Sequence, residues 1–142
     1  MRTNAYLTFN GQCREAFEFY VKALGAEIEM MSTFADSPMA QQMPADMHDK
    51  IIHARIRIGE ATVMGSDAPA GRYTRPQGFS VALGVDAPAE AERIFAALSE
   101  GGHVGMALQE TFFAARFGMA VDRFGIPWMV NCQTAASGSG SS

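Results

Sequence analysis

Glu15-Ala16-Phe17-Glu18-Phe19-Tyr20-Val21-Lys22-Ala23-Leu24-Gly25 is the stretch that decides the fold, because the chain repeats its pattern. Glu15-Ala16, with Phe19, Tyr20 and Ala23, returns as Glu90-Ala91 with Ile94, Phe95 and Leu98, 75 residues on (90 − 15 = 75). The apolar positions fall at helical spacing, so each copy predicts a helix with one buried face. Glycine stops both, Gly25 after the first and Gly101-Gly102 after the second. A unit too small to bury its own core has to pack against its copy. The duplication therefore predicts a cleft.

Outward from the first helix, 4–9 alternates, with Asn4, Tyr6 and Thr8 on one side and Ala5, Leu7 and Phe9 on the other. That is a strand with two different neighbours. Asn10-Gly11 turns the chain into a helix over 12–24, and 27–34 reads as a second strand. A long loop over 35–49 carries Pro38 and Pro44 among methionines. Strands over 50–58 and 61–66, around Gly59-Glu60, read as a hairpin. The segment 67–77, with Pro69, Gly71 and Pro76, is a linker. The second copy follows the same order. A strand over 79–85 leads to Asp86 as N-cap and a helix over 89–100. A strand over 103–108 and a hairpin over 112–132, turning at 122–125, complete it, with Gly59 matching Gly125 at an offset of 66 (125 − 59).

Both copies thus read strand, helix, strand, strand, strand. The expected fold class is α+β: two βαβββ modules forming a curved mixed sheet, helices outside and a concave groove inside. With 142 residues, 48% of them hydrophobic, one domain over 1–134 is expected, with modules at 3–67 and 78–132. Residues 135–142 are almost all Ala, Gly and Ser and read as a disordered tail. Open sheet edges in so small a chain favour a homodimer. A net charge of −4 gives no footprint for nucleic acid or an anionic membrane, and no apolar run is long enough to span a bilayer. Cys13 and Cys132 form no metal-ligand motif and read as free thiols of a cytoplasmic protein.

The ordered set of motifs resembles the vicinal oxygen chelate superfamily (glyoxalase I, bleomycin-resistance proteins, extradiol dioxygenases), and within it the PhnB-like subgroup. The residues that carry the likeness are Tyr6 to Gly11, Glu15 to Tyr20, Leu24-Gly25-Ala26, Ile52-His53-Ala54, Met64 to Asp67, Gly101 to Val104, Phe117-Gly118 and Asp122 to Trp128. Where the subgroup often shows Trp before Gly in the penultimate strand, this chain has Phe113-Ala114, a change in pocket wall rather than in fold. The resemblance implies a divalent metal held by His and Glu from the first and last strands of each unit. Here those strands offer Tyr6 or Asn4, Ser80 or Val81, Val63 or Met64, and Met129. None is an imidazole or a carboxylate, so no metal and no cofactor is expected. The demethylubiquinone methyltransferase label sometimes attached to this subgroup finds no glycine-rich strand-to-helix fingerprint here.

Several residues are candidates for a ligand site. His53 shares a strand face with Ile51, Arg55 and Arg57. Its neutral-range titration suits acid–base work or anion binding, and a cross-sheet or dimer hydrogen bond is the plainer reading. Arg55 either orients an anion or decorates an exposed face. Tyr6 and Thr8 bind ligand if their side faces the groove, and meet solvent otherwise. Met64, Ser80, Phe117, Trp128 and Met129 complete the expected lining, with Trp128 equally suited to the sheet core. Asp67, Asp122 and Glu60 stand at turns, where Asp commonly bonds its own backbone. His48 and His53 with Asp46 and Asp49 present no fixed metal-binding face. Cys13 at a helix start is either a thiol of lowered pKa or a buried small residue. The expected function is binding of a small organic molecule in the groove without the superfamily's metal. The alternative is a metal-dependent lyase, isomerase or dioxygenase with an atypical ligand set.

Overall fold

Parallel pairing of a first strand with a last one closes each of two four-stranded sheets. The computed structural model describes residues 1–133, so the expected tail at 135–142 lies outside the described residues. The chain divides into two compact units, Met1–Arg75 and one that begins at Pro76. The first contains β1 (Ala5–Phe9), α1 (Cys13–Leu24), β2 (Glu27–Thr33), β3 (Ile51–Ile58) and β4 (Ala61–Asp67). The second contains β5 (Val81–Val85), α2 (Pro88–Ser99), β6 (His103–Gln109), β7 (Arg116–Val121) and β8 (Pro127–Cys132). Sheet orders are β1-β4-β3-β2 and β5-β8-β7-β6, with every pairing antiparallel except the closing one. The fold class is α+β, as expected.

The registers superimpose the modules residue by residue. Ala5 pairs with Val63 and Val81 with Trp128, so β4 maps onto β8 at an offset of 65 (128 − 63). Ala54 pairs with Gly65 and Gly118 with Val130, so β3 maps onto β7 at 64 (118 − 54). The Gly59–Gly125 match therefore fails by a residue, because the second hairpin turn is one residue longer. Asp122 exploits that turn: its Oδ1 accepts the N–H groups of Phe124 and Ile126, and its Oδ2 accepts the Trp128 indole N–H. Strand β7 starts at Arg116, later than the 112 expected.

The helices start differently. No side chain from Gln12 caps α1; instead Asp67, at the far end of β4, accepts the Cys13 N–H through Oδ1 at 2.9 Å. Its Oδ2 accepts the Ile51 N–H at 2.9 Å, so a carboxylate expected to serve its own turn ties three segments together. Acceptance of an N-terminal N–H by an acidic group also complements the helix dipole. In the second module Pro88 occupies N1, lacks an N–H and needs no such partner. Asp86, expected as the N-cap, lies one residue too early; Ala87 holds that position without a side-chain cap. The residue equivalent to Asp67 is Cys132, whose backbone carbonyl accepts the Ala115 N–H.

Each helix covers one sheet face. Cys13, Ala16, Phe17, Tyr20 and Ala23 are buried from α1, and Ala91, Ile94, Phe95 and Leu98 from α2. Phe17 joins the buried face, whereas Phe19 is half-buried. Close approach depends on two glycines. A Cβ on Gly65 would stand 2.8 Å from the Phe17 ring, and one on Gly118 would stand 2.8 Å from the Phe95 ring. Gly65→Ala and Gly118→Ala are each expected to lower stability by about 1–3 kcal/mol through overpacking. Gly84→Ala, where a Cβ meets nothing within 4 Å, is expected to stay within about 0.5 kcal/mol. Urea denaturation of the three variants checks the contrast.

Candidate functional site

With α1 on one face of the first sheet, strand alternation sends the other side chains to its open face. These are Tyr6 and Thr8 from β1, Met64 and Ser66 from β4, and His53 and Arg55 from β3. Register places Tyr6 beside Met64, Thr8 beside Ser66, and Met64 beside Arg55. The Tyr6 hydroxyl donates to Ser66 Oγ at 3.0 Å, and its ring stacks on the His53 imidazole with centroids 5.9 Å apart. The His53 ring nitrogens make no hydrogen bond among the described residues, so no cross-sheet bond consumes them. Arg55 is engaged: its Nε lies 3.1 Å from Glu29, which also binds Arg57 at 3.0 Å, and Arg57 pairs with Glu27 as well. An anion would have to compete with Glu29 for that guanidinium.

The open face of the second sheet has a different character. The positions of Tyr6 and Thr8 are taken by Ala82 and Gly84, those of Met64 and Ser66 by Met129 and Asn131, and those of His53 and Arg55 by Phe117 and Met119. Polar groups give way to methionine and an aromatic. Phe117 continues edge-to-face onto Phe113, which packs against Phe112. The Asn131 Oδ1 is buried without a hydrogen-bond partner among the described residues.

Two expected site residues stand elsewhere. Trp128 is 1% exposed, on the helix-covered face, with its indole N–H satisfied by Asp122; it belongs to the core. Alternation explains this, since Met129 takes the open side. Ser80 precedes β5, and the residue matching Tyr6 is Ala82. Ser66, Ala82, Met119 and Asn131 were not anticipated. The signal for them is strand parity once the parallel register is known.

The superfamily's metal does not fit these residues. The paired positions on the open face are Tyr6 and Met64 in the first sheet and Ala82 and Met129 in the second, and none of the four is an imidazole or a carboxylate. Among the described residues no three His, Cys, Asp or Glu side chains gather at metal-binding separation. His48 holds its own loop, with Nε2 2.8 Å from the Ala40 carbonyl and 3.2 Å from that of Met43. Cys13 is no activated nucleophile. Burial, followed by the neighbouring Asp67 charge, pushes its thiol up to about 12 against a slight opposite pull from Arg14.

A βαβββ unit used twice, with each helix on one sheet face, defines the glyoxalase/bleomycin-resistance fold of the vicinal oxygen chelate superfamily. The glyoxylase/bleomycin resistance protein/dioxygenase domain from Frankia sp. EAN1pec shares it at 14% identity, with a TM-score of 0.62 over 94% of this chain and 97% of that one. Residues 2–131 match the family described as 3-demethylubiquinone-9 3-methyltransferase. The chain belongs to that family. Protein PA1353 from Pseudomonas aeruginosa is 52% identical, with a TM-score of 0.85 over 94% of this chain and 98% of its own. Protein YjdN from Escherichia coli strain K12 is 37% identical over 140 residues, covering 92% of this chain and 95% of that protein.

The Cys13 thiol gives a pH signature. Its pKa is raised on folding, from 9.0 to about 12, so the native state holds the proton more tightly than the unfolded chain. The resulting stability is complete below pH 9 and is lost as pH rises from about 9 to about 12. Cys13→Ala is expected to flatten this part of the stability profile, as measured by denaturant titration at stepped pH.

Proposed function

We propose that the protein binds a small organic molecule in a groove walled by an open sheet face, and does so without the superfamily's metal. One observation carries the reading. Tyr6, His53 and Ser66 form a contiguous polar cluster on a face that no helix covers, beside Met64. Binding sites commonly combine an apolar wall with a few convergent polar groups, and on this same sheet Thr8 and Arg55 extend the polar set while Met64 supplies apolar wall. The family description names methyl transfer, but that reaction is not what the cluster supports best.

The working form is a homodimer of the cytoplasm, with modules 3–67 and 78–132 in a single domain. Support for the dimer comes from β6, an edge strand that exposes Val104 and Met106. No helix among the described residues is long and apolar enough to cross a membrane. The negative net charge argues against nucleic acid as a partner.

Metal analysis and thermal-shift screening test the reading together. Protein purified without chelators is expected to be free of stoichiometric Zn, Mn, Ni or Fe and to gain thermal stability with members of a small-molecule panel. Tyr6→Phe and His53→Ala are expected to shrink that gain while leaving the ligand-free melting temperature nearly unchanged. Stoichiometric metal lost in His53→Ala would establish the metal-dependent lyase, isomerase or dioxygenase reading instead. Size-exclusion chromatography with light scattering checks the dimer.

A further inference from the structure

The two modules differ at one place in a way that points to a specific ligand contact. In the first sheet the Ser66 hydroxyl accepts a hydrogen bond from Tyr6 on the neighbouring strand. The second sheet carries Asn131 where the first has Ser66, but Ala82 where the first has Tyr6. The donor is gone and the acceptor remains, and among the described residues Asn131 Oδ1 is buried and unpartnered. An orphaned buried acceptor is costly and calls for an explanation.

The neighbours of Asn131 supply one. Across the parallel ladder lies Gly84, where a Cβ would meet nothing within 4 Å, and Ala82 and Gly84 are both exposed. On the other side Asn131 pairs with Phe117, whose half-buried ring offers an aromatic surface. A carboxamide turning toward Gly84 meets open space rather than a side chain. None of the six residues on this part of the face, Ala82, Gly84, Phe117, Met119, Met129 and Asn131, is charged.

We infer that Asn131 is a ligand-recognition residue, whose carboxamide accepts a hydrogen bond from the ring hydroxyl of an uncharged, flat molecule lying over Ala82 and Gly84 against Phe117. The ligand's hydroxylated ring takes the place that the Tyr6 side chain fills in the first module. This deepens the small-molecule-binding reading and rests on it.

A matched pair of probes tests it, 2-naphthol and its methyl ether 2-methoxynaphthalene, titrated calorimetrically into the full chain. 2-Naphthol is expected to bind about tenfold more tightly, the size of one hydrogen bond to a buried acceptor. Asn131→Leu, close in volume but without the amide, is expected to abolish the difference. Equal binding of both probes to the unaltered protein, or a difference that survives in Asn131→Leu, overturns the role of Asn131 and leaves small-molecule binding standing. If neither probe binds while other compounds still stabilise the protein, the inferred ligand class is wrong and the broader reading survives. If nothing in the panel binds, both fall.

A second measurement needs no ligand. Ala82→Tyr brings a hydroxyl back to this position, and Ala82→Phe brings only the ring. The tyrosine variant is expected to melt higher than the phenylalanine variant with Asn131 present, and at the same temperature in the Asn131→Leu background. Identical melting of the tyrosine and phenylalanine variants with Asn131 present means that Oδ1 cannot be reached from this side, and this comparison overturns the inference even if Asn131→Leu fails to fold.

Discussion

An aromatic ring lying on a glycine holds each helix to its sheet, and much else follows from that contact. Phe17 reaches Gly65 and Phe95 reaches Gly118 at distances that leave no room for a Cβ. The two glycines are not equivalent positions: Gly65 is on the last strand of its module and Gly118 on the one before. Each module therefore satisfies the same packing demand on a different strand. Dense packing on that side is what leaves the opposite face of a four-stranded sheet with no helix of its own.

The modules also divide their chemistry. The first carries tyrosine, threonine, serine, histidine and arginine on its open face, and the second carries alanine, glycine, phenylalanine, methionine and asparagine at the matching positions. The same divergence appears at the helix starts. A free N–H at Cys13 is met by Asp67, whereas Pro88 removes the N–H and the matching strand end is free to be Cys132. At the helix starts the residue and its partner have changed together while the strand pairing is kept.

Much of this was legible in the sequence, and the reason is periodicity. The recurrence of Glu-Ala with apolar residues at helical spacing identifies both helices, and alternation identifies Tyr6 and Thr8 as a face apart from Leu7 and Phe9. What escaped depends on pairing across long separations. Asp67 reaches Cys13 over 54 residues, and no local pattern announces that contact. Ser80 falls outside the strand because β5 begins at Val81, two residues after the expected start at 79 (81 − 79 = 2). Trp128 suited a pocket by composition, but its place is fixed by the parity of β8 and by Asp122. Asn131 became visible only when the register set it opposite Gly84 and Phe117.

The parallel pairing of β1 with β4 also governs how the chain acquires its structure. Tyr6 sits beside Met64, so the first strand has no partner in its sheet until the last one is in place. The β3–β4 hairpin and α1 draw on contacts near in sequence and can organise early, but closing the β1–β4 ladder costs the entropy of a long loop. On the ribosome the N-terminal strand therefore has no ladder partner until the chain through Asp67 has emerged. The second module repeats the delay from Val81 to Cys132. In each half the first strand gains its partner in the sheet only with the final strand, and loss of either final strand would leave a first strand with nothing to pair against.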